Sequence, residues 1–406
     1  MYLTKEEESV LEGEKGEALS FAMKILVNLG DLEEANRLIP IVSAHVSGVS
    51  YHTAGEGLIK LLQELNGMHA KVSVPTSLNP AGMDLKRWEE IGYPEDFASK
   101  QNIIIDLYAK IGIDITCSCI PYETPHRMHP IKFGDHISWG ESNAVIYANS
   151  VVGARTNREG GISSLASAII GKTPEWGMHL DGPRMPTLEV NVDGELSHFH
   201  YNLLGAYMGK HYNSNIVLYR GLPMKIANGD LKHLGAAMAA KGGHPIFHID
   251  GVTPENDLIA RSIEDRRIVD RISISPRMLE EEKEKLYPGP DNEIDVFVLG
   301  CPQFGSDEFQ RLHSVLKGRK VKKGKRLIVY TNRPFLEGFD SKMIASLRES
   351  GVEIENDTCM VVSPLNRLGM ERVGTDSGKA AHYIPKMSGI DADLLPIEMI
   401  VELCVK

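Results

Sequence analysis

The chain lacks an excess of basic residues, long apolar runs, nucleotide-binding glycine signatures and more than a handful of cysteines. Each absence excludes something. With 44 lysines and arginines against 55 aspartates and glutamates, the net charge is −11, which argues against nucleic acid as the main partner because phosphate binding needs a basic face. The run GRKVKKGKR at 318–326 is the exception; placed between a helical pattern and the apolar residues 327–330, it reads as a solvated loop. No stretch approaches the roughly 20 apolar residues of a membrane span. The N-terminus is charged and helix-patterned, with Thr4 and Glu7 spaced as a capping box, and is unlike a signal peptide, so a cytoplasmic protein is expected. No G-x-G-x-x-G occurs, and GKT at 171–173 has Ala166 where a P-loop needs its first glycine, which disfavours nucleotide binding. Five cysteines in a reducing compartment are more often thiols or metal ligands than a disulfide framework.

What is present is the composition of a loop-rich globular enzyme: 42% hydrophobic and 24% charged residues with 38 glycines. A length of 406 residues exceeds the roughly 250 to 300 that one hydrophobic core serves, so two or more domains are expected. Residues 4–65 read as helices broken at Gly30-Asp31 and again across HVSGVSYHTAGEG (45–57). A mixed unit follows from Val72 to about Ile274, with strand patterns at 186–192 and 214–219 and a helical run at 229–242. A charged helix from Pro276 is stopped by Pro288, Gly289 and Pro290, a boundary signal. Beyond it, strand and helix patterns alternate (295–300, 306–318, 326–331, 341–351, 352–356) at the spacing of βαβ units, which predicts a small parallel sheet between helices. The expected division is 1–285 (helical 1–65, mixed 72–275) and a doubly wound domain over 291–406.

Cys119, Cys301 and Cys359 each stand just past a short apolar segment, and the strands predicted before them are 113–116, 294–299 and 352–356. Ligands of open α/β sheets bind outside the carboxyl ends of the strands, so the three thiols are expected at one sheet edge. Three thiolates far apart in sequence suit an iron-sulfur cluster with one iron left open. Such an iron would serve as a Lewis acid for a leaving hydroxide while a separate base takes a proton α to a carboxylate, the logic of a hydro-lyase. The residues alone leave other readings open. Buried thiols often pack as small hydrophobes, and Cys404 fits that role. Structural zinc normally takes four ligands in paired C-x₂₋₄-C groups, and only Cys117 and Cys119 are close together. A disulfide between strand ends suits a hyperthermophile. Cys119 is favoured over Cys117 because it lies nearer the loop.

Four further segments have the polarity to line a site: SGVSYH (47–52), SLNPAG (77–82), GESNAV (140–145) and TDSGKAAHY (375–383). Singly, each also reads as a turn or cap. Gly48 and Ser50 offer donors to an oxyanion, and Lys379 offers a point charge to a carboxylate or phosphate. Arg155 and Arg158 serve either an anion or the fold, and His198 and His200 read as ordinary surface or core histidines.

Together these segments resemble the large subunit of aconitase X. The resemblance covers nearly the whole chain and rests on LTKEEESVLEGEKGEALSFAMKIL, AHVSGVSYHT, TSLNPAG, the CSCIPY turn, WGESNAVIYANSVVGARTNREGG, the LGCPQ turn, DTCMV and DSGKAAHY. It implies an aconitase-like multidomain α/β fold and a [4Fe-4S] cluster on Cys119, Cys301 and Cys359. It implies substrate contacts from Gly48, Val49, Ser50, Asn79, Pro80, Glu141, Ser142 and Lys379. The implied activity, in the archaeal branch of the family, is loss of water from (R)-5-phosphomevalonate to give trans-anhydromevalonate 5-phosphate. A separate small subunit is implied to close the site and supply a serine as general base. Relatives that dehydrate cis-3-hydroxy-L-proline make that the second reading, and a non-catalytic iron-sulfur protein the third.

Overall fold

A computed structural model describes residues 1–123, 130–287 and 294–405, an α/β protein built around three parallel sheets. The first helix, α1 (Lys5–Leu11), opens on the expected capping box: Thr4 N–H donates to Glu7 (2.7 Å) and Glu7 N–H to the Thr4 hydroxyl (3.3 Å). Helix α2 (Glu17–Leu32) continues through Gly30 and Asp31, correcting the predicted break. Gly30 serves packing instead, because a Cβ there would meet Met1 Sδ at 2.6 Å and Pro174 at 3.4 Å. The following stretch is also not purely helical. It contains the buried strand β1 (Ala44–Val46) before α3 (Tyr51–Gly67), which is kinked at Gly55.

Strand β2 (Thr76–Leu78), helix α4 (Glu95–Ile111), strand β3 (Ser138–Trp139), helix α5 (Ser142–Tyr147) and helix α6 (Gly161–Ile170) complete this region, with strand order β2-β1-β3. Helix α4 shows how the sequence specifies such elements. Glu95 and Asp96 face the positive end of its dipole, Lys110 the negative end, and Gly112 (φ +96°) closes it in the left-handed conformation. Its buried stripe of Phe97, Gln101, Ile104, Tyr108 and Ile111 recurs every three to four residues, and its aliphatic members join α2, α3 and α6 in one core.

Residues 113–116, expected as a strand, make only one bridge, Asp114 to Ser77. The Thr116 hydroxyl supplants the ladder, accepting from Leu78 N–H (3.1 Å) and donating to Leu78 C=O (3.0 Å). Cys117 then turns the chain at φ +46°.

The middle sheet holds β4 (Leu188–Val192), β5 (Val217–Arg220), β6 (Phe247–Ile249) and β7 (Asp270–Ile274) in the order β6-β5-β4-β7. Helices α7 (His198–His211) and α8 (Asn228–Gly242) connect its strands. The predicted helix from Pro276 is present as Pro276–Leu286, opened by the Ser275 side chain. The boundary expected at Pro288, Gly289 and Pro290 lies outside the described residues.

The third sheet is the parallel one predicted for the C-terminal region. It comprises β8 (Val296–Leu299), β9 (Arg326–Thr331), β10 (Val352–Asn356), β11 (Arg372–Thr375) and β12 (Asp391–Leu394), ordered β10-β9-β8-β11-β12. Around it lie α9 (Ser306–Leu316), α10 (Ser341–Glu349), α11 (Gly378–Ser388) and α12 (Ile397–Cys404). Alternation along the strands divides two cores. Phe297, Leu299, Leu327 and Val329 pack on one face with Cys404, while Val298, Ile328 and Tyr330 pack on the other with Cys301 and Cys359. Cys404 is therefore the packing thiol it was expected to be.

Candidate active site

The turns that leave the first and third sheets meet. From the first sheet come Ser47 to Ser50 after β1, Asn79 and Pro80 after β2, and Glu141 and Ser142 after β3. From the third come Cys301 after β8, Cys359 after β10, and Ser377 to Lys379 after β11. Hydrogen bonds lock the two edges together: Ser50 Oγ donates to Val362 C=O (2.7 Å) and Ala81 N–H to Asp357 C=O (2.8 Å), while Lys379 Nζ bonds Glu141 Oε1. The expectation of one common edge is thus corrected. Cys119 arrives on the first sheet's side, because Ser118 N–H and the Thr116 hydroxyl pair with Leu78 at the end of β2.

Cys119, Cys301 and Cys359 are buried and lie within electrostatic reach of Lys379 and Glu141. Burial pushes all three thiols up, and the Lys379 charge opposes it in each. Main-chain donors also point at sulfur, from Gln303 to Cys119 (3.1 Å) and from Val361 and Val362 to Cys359. Cys117, equally buried, faces elsewhere. Beyond burial, its surroundings are Asp357, Arg333 and the Ala81 N–H. There Arg333 bridges Asp357 (2.6 Å) and Asp84 (3.0 Å), and Asp84 accepts the Asn356 N–H (3.0 Å).

Beside the three thiols lies a polar cluster. Lys379, near the start of α11, pairs with Glu141 and donates to Ser142 Oγ (3.1 Å); Asn79 donates its side-chain amide to Glu141 Oε2 (3.1 Å). Burial works to raise the Glu141 carboxyl, but the Lys379 charge and hydrogen bond, with the Asn143 N–H and Asn79, outweigh it and hold the group at about 2. Lys379 loses by burial and gains more from Glu141 and the thiols, so it stays a cation. His45 is driven down to about 4, chiefly by burial. It is held between Ser77 Oγ (2.7 Å) and Asn79 Oδ1 (3.4 Å), which fixes Asn79 for Glu141. Gly48, at φ +74°, is exposed, and a Cβ there would meet nothing within 4 Å. A groove of about 300 Å³ adjoins it, lined partly by Ser47, Gly48 and Gly161.

Family models for the first, second and third domains of aconitase X match residues 1–182, 186–284 and 294–406. The chain is 42% identical to the phosphomevalonate dehydratase large subunit of Methanosarcina mazei, covering 96% of this chain and 93% of that protein. It is 39% identical to the protein of the same name from Thermococcus kodakarensis, covering 99% of each. This chain belongs to the aconitase X family. A crystal structure of Thermococcus kodakaraensis aconitase X in its holo form matches all of both chains, with a TM-score of 0.88 and 37% identity. More distant is the cis-3-hydroxy-L-proline dehydratase of Hypocrea jecorina, 32% identical over 95% of this chain and 66% of its own length.

Membership in this aconitase-like family suggests an iron-sulfur cofactor, and the residues fit one. The donor set is three soft thiols with N–H groups aimed at sulfur, the ligand chemistry that iron-sulfur clusters use. Among the described residues no group of three or more His, Cys, Asp or Glu stands close enough to hold a metal ion. All five cysteines are free thiols in this structure.

Of the residues expected to contact substrate, Asn79, Glu141, Ser142 and Lys379 form one hydrogen-bonded cluster. Ser50 is buried, capping α3 while holding Val362 of the turn after Cys359. Val49 is buried and offers its carbonyl to Gln101 (3.2 Å), and Pro80 is buried beside Asn79. Arg155 pairs with Asp181 (2.7 Å) and the His179 carbonyl (3.0 Å), a fold-supporting role. Sequence reasoning missed His45, Asn143, Gln303 and the Asp84–Arg333–Asp357 network. Each sits inside or beside a segment already singled out, but single polar residues there carried no spacing signal.

Proposed function

We propose that this chain is the cluster-bearing large subunit of a hydro-lyase that removes water from (R)-5-phosphomevalonate to give trans-anhydromevalonate 5-phosphate. The observation that carries the reading is the gathering of three buried thiols beside the Lys379–Glu141 pair at the facing carboxyl ends of two sheets. Cys119, Cys301 and Cys359 would hold a [4Fe-4S] cluster, which when bound supplies Lewis-acid chemistry for a leaving hydroxide. Gly48, Val49, Ser50, Asn79, Pro80, Glu141, Ser142 and Lys379 form the substrate surface. Lys379 is its buried cation for a carboxylate, and Glu141 keeps that lysine charged and aimed. Asn79 and Ser142 supply neutral polar groups that orient the substrate.

The chain works with a small subunit, as the name large subunit in its relatives suggests, and the general base comes from that partner. Among the described residues no helix is long and apolar enough to cross a membrane. Five unpaired thiols suit the reducing cytoplasm, which is where we place the enzyme. Relatives named for phosphomevalonate exceed in identity those named for cis-3-hydroxy-L-proline, which orders the two substrates.

The test is anaerobic co-purification with the small subunit, followed by iron and sulfide analysis and assay on both substrates, for the parent and for Cys119→Ser, Cys301→Ser and Cys359→Ser. Dehydration of 5-phosphomevalonate by the parent, lost together with iron in all three variants, is expected. Turnover of hydroxyproline alone, or an iron-free active parent, would sink the proposal.

A further inference from the structure

Gln303, two residues past Cys301 in the same turn, is wholly buried and has hydrogen bonds into the segments that bear the other two candidate cluster cysteines, Cys119 and Cys359. Its side-chain Nε2 donates to the carbonyls of Cys117 (3.1 Å), Thr331 (3.1 Å) and Thr358 (3.0 Å). Its Oε1 accepts the Cys119 N–H (3.0 Å), with Asn332 Nδ2 at 3.5 Å. Its own main-chain N–H donates to Cys119 Sγ (3.1 Å). Its main-chain carbonyl accepts from Lys232 Nζ (3.2 Å), a buried lysine neutralised by Glu308 (2.6 Å) and Glu123 (3.4 Å).

A carboxamide has two N–H donors and an acceptor oxygen with two lone pairs; here the three carbonyls share the two hydrogens, and both ends are in use. The three carbonyls it gathers belong to the turn before Cys119, the end of β9, and the residue before Cys359. Cys301 lies in its own turn, where Ser377 Oγ holds the Cys301 carbonyl. One side chain therefore spans the two sheet edges at the level of the sulfurs.

We propose that Gln303 is the positioning residue that sets the mutual placement of the Cys119, Cys301 and Cys359 sulfurs, and that its N–H tunes the Cys119 ligand. This rests on the reading of those cysteines as cluster ligands. The chemistry of the positions explains why glutamine is needed. Glutamate has the same shape but turns an acceptor toward three carbonyls, and methionine has similar length with neither function. Hydrogen bonds to ligating sulfur are a determinant of cluster potential, and loss of groups that orient ligands typically costs about 10- to 100-fold in metal affinity.

The experiment compares Gln303→Glu and Gln303→Met with the parent, each anaerobically co-purified with the small subunit. The readouts are iron and sulfide per chain, the rate of iron loss to a chelator, the cluster's electron paramagnetic resonance spectrum and its midpoint potential. Thermal unfolding of the iron-stripped chains controls for general damage. Expected are variants that unfold cooperatively without iron, yet lose iron at least about tenfold faster than the parent, with an altered spectrum and potential. A loaded parent beside variants with parental iron loss, spectrum and potential would overturn the role of Gln303 alone. An iron-free parent would overturn the ligand reading itself. If the variants do not fold, the parent labelled with ¹⁵N-glutamine decides: a hyperfine coupling from the Gln303 N–H to the cluster spins is expected, and its absence refutes the proposal.

Discussion

Replacing Lys379 by methionine removes the counter-charge from a carboxylate that is almost fully enclosed, with side-chain exposures of 8% for the lysine and 12% for Glu141. The Glu141 carboxyl sits at about 2 against 4.5 for the free group, because Lys379 and the Asn143 and Asn79 hydrogen bonds overcome burial. That displacement corresponds to about 3 kcal/mol of stability, since each pKa unit is worth about 1.4 kcal/mol. The folded carboxyl is depressed, so its contribution is complete above pH 4.5 and is lost as pH falls through about 2. Without Lys379 the remaining influence is chiefly burial, which favours the neutral acid. Lys379→Met should therefore cost roughly 3 to 5 kcal/mol at pH 7, the usual range for stranding one member of a buried pair, and much less near pH 3.

Glu141→Gln strands the lysine and should cost a similar amount. The double variant leaves no buried charge, and its loss should be well below the sum of the single losses. Urea unfolding of the iron-stripped chains at pH 7 and pH 3 measures all four states. A loss under about 1 kcal/mol at pH 7, a loss independent of pH, or additive single effects would refute the account of this pair.

Cys117→Ala should leave iron and sulfide at parental levels while Cys119→Ser abolishes them, because Cys117 faces the Arg333–Asp357 network and Cys119 faces Lys379; equal losses in an iron assay would show that Cys117 is needed as much as Cys119. Asn79→Ala removes a hydrogen bond to Glu141 and the anchor of His45, and should raise KM for the phosphorylated substrate while leaving iron content unchanged. Glu355 is buried with its carboxyl raised to about 7, mainly by desolvation. Its raised value means that the neutral form's advantage is full below pH 4.5 and gone above about 7, so Glu355→Gln should stabilise the chain by about 1 to 3 kcal/mol at pH 8 and by little at pH 4. Unfolding midpoints that shift equally at both pH values would contradict this.

Much of the third sheet was legible because its strands are short apolar runs separated by amphipathic helices. Val296–Leu299 and Arg326–Thr331 are buried on both faces, so their sequences are nearly continuous in Val, Ile, Leu and Phe. The later strands Arg372–Thr375 and Asp391–Leu394 went unforeseen. Each begins on a charged residue, and Arg372 and Asp393 pair across the sheet (2.6 Å), so their strand character depends on a neighbour distant in sequence. The same holds for Ala44–Val46, three residues whose only signal is burial between Thr76–Leu78 and Ser138–Trp139. Gly30 misled in the opposite direction: a glycine chosen for contact with Met1 and Pro174 looks like a helix stop.

The site was legible as a set of segments and illegible as a geometry. Strand-end position pointed to Cys301 and Cys359 for a sound reason, since both close strands of one parallel sheet. Cys119 reached the same place by a different route, through a turn in which Thr116 replaces a ladder and Cys117 takes a left-handed conformation. That conformation is what separates the adjacent thiols. With Cys117 turned toward Arg333 and Asp357, the chain emerges so that Cys119 N–H meets Gln303 Oε1 and Cys119 C=O accepts from Asn143 (3.0 Å). The different directions that the two cysteines face are therefore set by residues from other segments, none of which a local pattern could connect to them. A site held in this way, by side chains that bind the backbone of facing turns, needs both sheets folded before its sulfurs come together.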